Sequence, residues 1–176
     1  MLELIINEPE SYDERRNLFI EGKKYILKLE HSLVSIAKWE SKWHKPFLTN
    51  KSKTVEEWID YIRCMTITQN VNPIVYYLIT DDHFKQIIDY MNAPMTATTV
   101  PKDNSSPNRE VVTSELIYYW MIALNIPPEY QKWHLNRLLT LINVCNFKNK
   151  PPKKMSQSEL MNKHRAVNAS RRKPRK

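Results

Sequence analysis

The stretch from Thr113 to Asn146, TSELIYYWMIALNIPPEYQKWHLNRLLTLINVCN, holds two helical patterns joined by a turn and carries most of the chain's hydrophobic weight. Thr113 or Ser114 is placed to accept from the free N–H groups of a first turn, and Glu115 sits where the helix dipole favours negative charge. Leu116, Ile117, Trp120, Ala123 and Leu124 then recur at helical spacing. Tyr118, Tyr119, Met121 and Ile122 fill much of the opposite side, so the pattern predicts a central helix with little surface left for water. Asn125-Ile126-Pro127-Pro128 breaks that helix, because the residue before each proline is pushed out of the α region, and Pro128 suits the first turn of a new one. Beyond it Leu135, Leu138, Leu139 and Ile142 form an i, i+3, i+4, i+7 stripe, with Gln131, Lys132, Asn136 and Arg137 on other faces.

Outward from this helical hairpin the two ends of the chain read differently. In residues 1–31, Leu2, Leu4 and Ile6 alternate with Glu3 and Ile5, and Lys24–Leu29 repeats the two-residue period. With Leu18–Ile20 as a third short strand and Glu21-Gly22-Lys23 as a tight reversal, the expectation is a small antiparallel β-meander. From residue 32 on, helices take over. Ser32 caps one over Leu33 to about His44, with Trp39 and Trp43 on a shared face that clamps helix against sheet or, alternatively, offers a ligand platform. Thr54-Val55-Glu56-Glu57 is a capping box ahead of Trp58, Ile59, Ile62 and Met65. Asn72-Pro73 and Thr80-Asp81-Asp82 mark two further starts, the second leading into Phe84, Ile87, Ile88 and Met91. Residues 93–112, with Pro94, Pro101 and Pro107 around a polar run, read as a mobile loop whose Thr- and Val-rich flanks, Thr96–Val100 and Arg109–Thr113, pair as a hairpin arm.

The 176-residue chain is long enough for one core, so the organisation expected is a globular α+β domain over 1–149 and a basic tail over 150–176 containing a short helix. Ser156-Gln157-Ser158-Glu159 opens that helix, and Ser170–Lys176 should lack structure by itself. Charge supports the division. Residues 146–176 hold 11 of the 27 Lys/Arg and one of the 19 acids, for a net +10, leaving 16 bases against 18 acids and a net −2 in the rest. The positive charge therefore belongs to the tail.

Gly22 is the single glycine, which excludes phosphate-cradling loops and dinucleotide fingerprints. Cys64 and Cys145 lack a neighbouring Cys/His cluster and read as buried free thiols in a reducing compartment. His31, His44, His83, His134 and His164 stand apart from one another, without metal-ligand spacing, and the acid pairs Glu56-Glu57 and Asp81-Asp82 fall in first turns where capping accounts for them. No nucleophile, metal set or cofactor box is legible. No apolar run is long enough to span a membrane, and MLELIINE has no basic leader region, so a soluble cytosolic protein is expected. The tail has no aromatic residue for base stacking, and its charge suits phosphate or an acidic protein surface.

Four segments carry a family resemblance: Leu29–Trp43 (LEHSLVSIAKWESKW), Asp60–Met65 (DYIRCM), Thr113–Asn146, and Pro151-Pro152-Lys153-Lys154. On these the chain resembles small proteins of long-tailed bacteriophages and prophages known as tail assembly chaperones. The resemblance implies a small α+β body that coats the tape-measure protein during tail building in the host cell cytoplasm, leaves the finished particle, and in many members exists in short and frameshift-extended forms. Tape-measure and tail-tube proteins are the implied partners, with self-association as a further one. Charge and the aromatic pair, rather than any family motif, nominate Lys153, Lys154, Lys163, Arg165, Arg171, Arg172, Lys173, Trp39 and Trp43 as partner-binding. The alternative is a nucleic-acid-associated phage protein working through the basic tail.

Overall fold

A computed structural model describes residues 1–13, 15, 17–50, 52–99, 110–149 and 157–171. The N-terminal strands are β1 (Leu2–Asn7), β2 (Ser11–Asp13), β3 (Leu18–Ile20) and β4 (Lys24–Leu29). They do not follow meander order. β1 pairs antiparallel with β4 from Leu2↔Leu29 to Asn7↔Lys24, and β2 with β3, so the pairs nest as one long hairpin. The ladder continues one step further through Glu8 N–H to the Lys23 carbonyl (2.8 Å), then meets Pro9, which has no N–H to give. Glu21-Gly22-Lys23 thus lies within an arm, and the reversal comes between β2 and β3, where Asn17 takes a left-handed φ of 52°. Gly22 is needed for closeness instead: a Cβ there would run into the Glu8 carbonyl. The alternation of β1 and β4 buries Leu4, Ile6, Leu27 and Leu29 on one face.

The helices are α1 (Leu33–Trp43), α2 (Val55–Met65), α3 (Asp81–Asn92), α4 (Ser114–Ala123), α5 (Leu135–Asn149) and α6 (Gln157–Arg171), with 3-10 turns at Pro73–Leu78 and Pro128–Lys132. With the strands they make the expected α+β fold. Ser32, Thr54, Thr80 and Thr113 all cap as their positions in the sequence suggest. The segment after α2 returns to the sheet: Ile67 N–H donates to Lys28 O (2.8 Å) and Glu30 N–H to Met65 O (2.9 Å), covering the free edge of β4. One contiguous core joins the hairpin face to α1 through α5, with Trp39, Tyr61, Leu33, Ile36, Ile117, Leu135 and Leu138 at its centre.

The helical hairpin departs from its sequence reading in two ways. α4 is not enclosed, because Tyr119 and Ile122 are 64% and 75% exposed while Ile117 and Met121 alone of its apolar residues are fully inward. Its apolar residues outnumber those one packing face accommodates. Pro128 opens a 3-10 turn, and α5 starts only at Leu135, after Trp133-His134 has run extended to form a bridge with Ser32.

Of the loop expected at 93–112, residues 100–109 lie outside the described residues; 96–99 and 110–113 form no strand, so the described flanks do not make the hairpin arm. Asn136 fixes the start of the segment by donating to the carbonyls of Met91 (2.9 Å) and Ala93 (2.8 Å). α6 is 15 residues long and reaches Arg171, further than a short helix ending before Ser170. Its N-cap position, Ser156, lies outside the described residues.

Candidate functional site: an apolar groove beside two cations

α2 decides where the groove lies. The capping box places Trp58, Ile59, Ile62 and Met65 on an apparent inward stripe, yet the residues fully buried are Tyr61, Ile62 and Met65, together with Glu57 and Asp60. The inward face is rotated toward Glu57 and Tyr61 because the carboxylates find partners there. Glu57 accepts from Lys45 Nζ (2.6 Å) and Thr54 N–H (2.8 Å), and Asp60 accepts from Trp43 Nε1 (2.9 Å) and from Lys42. Lys45, the largest contributor, holds the Glu57 carboxyl below its ordinary range. That rotation leaves Val55, Trp58 and Ile59 facing a groove of about 510 Å³. Its other walls are Tyr76, Tyr77 and Ile79 from the 3-10 turn and Thr80, Asp81 and Phe84 at the start of α3.

Trp58 and Phe84 join the groove wall to a buried aromatic array. Trp58 meets Phe84 edge-on at 5.2 Å and Phe47 at 6.3 Å; Phe47 stacks on Tyr61 at 3.9 Å and contacts Trp39 at 5.1 Å. Two cations border it. Lys53 Nζ lies 4.2 Å from the Phe47 ring centroid and 5.3 Å from that of Trp58, and donates to the Asn50 carbonyl (2.6 Å). Burial pulls its pKa below the ordinary lysine value, against an opposing effect of Glu57. The Arg63 guanidinium lies over Tyr76 (5.2 Å) and Tyr77 (5.6 Å), a cation–π arrangement.

The residues nominated from sequence do not converge here. Trp39 is fully buried, its Nε1 donating to the Glu57 carbonyl (2.9 Å), so it clamps α1 to α2 and offers a partner nothing. That corrects its nomination as a contact. Trp43 is half-buried, stacked on Trp39 at 6.1 Å, with Lys42 and Lys45 near its ring. Lys163 and Arg165 are exposed on α6, and Arg171 is that helix's last residue. Lys153, Lys154, Arg172 and Lys173 lie outside the described residues. The groove residues Lys53, Tyr76 and Tyr77, and Arg63 over the two tyrosine rings, escaped the sequence reading. The excess of apolar residues on α2 over the width of one inward stripe was the available signal.

A second cluster also escaped it. His31 and His134, 103 positions apart, have ring centroids 5.3 Å apart and are both buried. His31 Nδ1 is 2.5 Å from the Tyr61 hydroxyl, and His134 Nε2 is 3.1 Å from the Tyr90 carbonyl. The Tyr90 hydroxyl donates to Glu30 (2.6 Å), which also takes the Met1 ammonium at 3.1 Å. Burial first, and the charge of His134 second, press the His31 pKa down to about 3. Burial likewise holds His134 below its ordinary value, against the Tyr90 carbonyl and Glu30. Both rings are neutral struts at neutral pH. Cys64 is half-buried, and burial with the nearby Asp60 carboxylate lifts its thiol to about 11, which leaves little thiolate for nucleophilic work. Among the described residues no His/Cys/Asp/Glu group is arranged to hold a metal, and no helix is long and apolar enough to cross a membrane.

Compared with protein-family models, with curated proteins and with solved structures, the chain finds no match in any of the three.

Proposed function

We propose that this protein is a non-catalytic tail assembly chaperone of a long-tailed bacteriophage, holding the tape-measure protein, and through it tail-tube components, in the host cytoplasm until the tail is built. The observation that carries the reading is the α2–α3 groove: about 510 Å³, walled by Trp58, Ile59, Tyr77 and Phe84, and open at a surface where Tyr77 is 67% exposed. Such a groove suits the apolar stripe of a helix laid into it, the recognition mode an extended helical client presents along its length. Aromatic walls supply large contact area with little side-chain entropy to lose. Covering a client's stripe in this way would block its aggregation while leaving release reversible. The sequence resemblance to tail assembly chaperones points the same way.

The test is co-purification of the full chain with fragments of a phage tape-measure protein, against an Ile59→Glu variant that places a charge in the groove. Wild-type capture with at least tenfold weaker capture by the variant supports the proposal. Equal capture by both would move the contact elsewhere, and no capture of any tail protein would remove the chaperone reading.

The nucleic-acid reading keeps one supporting observation, the side chains of Lys163 and Arg165 exposed on α6. Salt separates the two. Phosphate contacts lose affinity linearly in log salt, whereas capture held mainly by an apolar stripe changes far less between 50 and 200 mM.

A further inference from the structure

Resting on the reading of the α2–α3 groove as the client site, we infer that it selects an apolar segment carrying an acidic residue at each end, with Lys53 and Arg63 as the two receptors. The argument is one of unspent charge beside apolar surface. The carboxylates nearest on α2 are already engaged: Glu57 by Lys45 and the Thr54 N–H, Asp60 by Lys42 and Trp43. Lys53 is left with a carbonyl, ring faces and the longer-range field of Glu57, which Lys45 already holds, and no carboxylate among the described residues forms an ion pair with it. Arg63 is left with ring faces. Its Nε is the one buried side-chain polar atom among the described residues that has no hydrogen-bond partner. That Nε is itself closed to a ligand, but no carboxylate among the described residues pairs with the guanidinium, so its outer N–H donors, over the Tyr76 and Tyr77 rings, are the ones a client carboxylate would meet.

Position gives the second part. Lys53 stands just before the α2 N-cap and Arg63 in its last turn, so their backbone positions are separated by most of the length of α2, about 15 Å at the helical rise. Between them lie the apolar walls Trp58, Ile59 and Ile62. A client helix lying along α2 therefore meets a cation, an apolar strip and a cation, and matches them with acids about three turns apart around its own apolar stripe. The acid lining the groove, Asp81, sits on the opposite wall in the first turn of α3, where the helix N-terminus holds it. It would repel an acid placed off the α2 side, which adds orientation to the selection.

The experiment uses the full chain and fluorescein-labelled synthetic peptides of about 18 residues: one leucine stripe flanked by two Glu ten residues apart, the same peptide with two Gln, and the same with two Lys. Anisotropy titrations run at 150 mM salt against wild type and Lys53→Gln, Arg63→Gln and doubly substituted chains, with folding checked by circular dichroism. An acidic peptide is also attracted to the basic tail, so the readout is the loss on substitution, which leaves the tail intact. Expected is Glu over Gln over Lys for wild type, a Glu-over-Gln preference of about tenfold, and its collapse to within about twofold in the double variant. Equal binding of Glu and Gln peptides, or a preference the double variant retains, overturns the inference and leaves the chaperone proposal standing. Binding of tape-measure fragments without binding of any of the three peptides also overturns it. Failure of peptides and fragments alike removes the proposal beneath it.

Discussion

Acid should destabilise this fold through His31, and the size of the effect follows from its surroundings. The ring is 3% exposed, packed against His134 and set against the Tyr61 hydroxyl. Its pKa falls from 6.5 to about 3 on folding. A folded pKa below the unfolded one means the native state holds the neutral ring, so the unfolded chain binds the proton first as pH drops. The stability tied to the neutral ring is complete above pH 6.5 and is lost as pH falls from there toward 3. Each pH unit in that window costs about 1.4 kcal/mol, so pH 4.5 removes roughly 3 kcal/mol, a large share of the 5–15 kcal/mol of a typical domain. The assay is urea unfolding followed by tryptophan fluorescence at pH 7.5 and 4.5 for wild type and His31→Gln. Glutamine keeps a polar group toward Tyr61 and cannot titrate. The carboxylates contribute alike to both chains, so wild type should lose roughly 3 kcal/mol more than the variant. Equal losses would show that His31 is not held neutral and would refute the reasoning.

Two further expectations concern single supports of the fold. Glu40 is buried on α1 and accepts from two backbone N–H groups, Phe47 (2.7 Å) after that helix and Ser114 (2.7 Å) at the start of α4. Glu40→Ala orphans both and should cost about 3–4 kcal/mol, with Glu40→Gln, which keeps one oxygen, near half of that; a thermal midpoint unchanged by the alanine would contradict this. Gly22→Ala drives a methyl into the Glu8 carbonyl and forces the hairpin arms apart, at a cost of about 1–3 kcal/mol in urea unfolding. A neutral result there would mean that the arms shift freely.

The capping signals were local, and local signals survived. Ser32, Thr54, Thr80 and Thr113 each bond within three residues, so the helix starts could be read from spacing alone. The two-residue period of Leu2–Asn7 and Lys24–Leu29 likewise fixed strands and their inward face. Pairing order was not local. Whether β1 meets its neighbour or β4 depends on closing a chain reversal far from either, which Pro9 and Gly22 shape but do not announce.

The sites belong to the second kind. Composition and spacing by themselves determined an α+β body, a helical hairpin late in the chain, a cationic C-terminal segment, and the lack of glycine-built phosphate loops. Only tertiary packing decided that Trp39 is buried while Trp58, Tyr77 and Lys53 line a groove, that Arg63 lies over the Tyr76 and Tyr77 rings of its wall, and that His31 lies against His134. The reason is rotational. A helix with more apolar residues than one face accommodates can turn either surplus inward, and on α2 the choice fell to Glu57 and Asp60, whose partners Lys42, Trp43 and Lys45 come from another element.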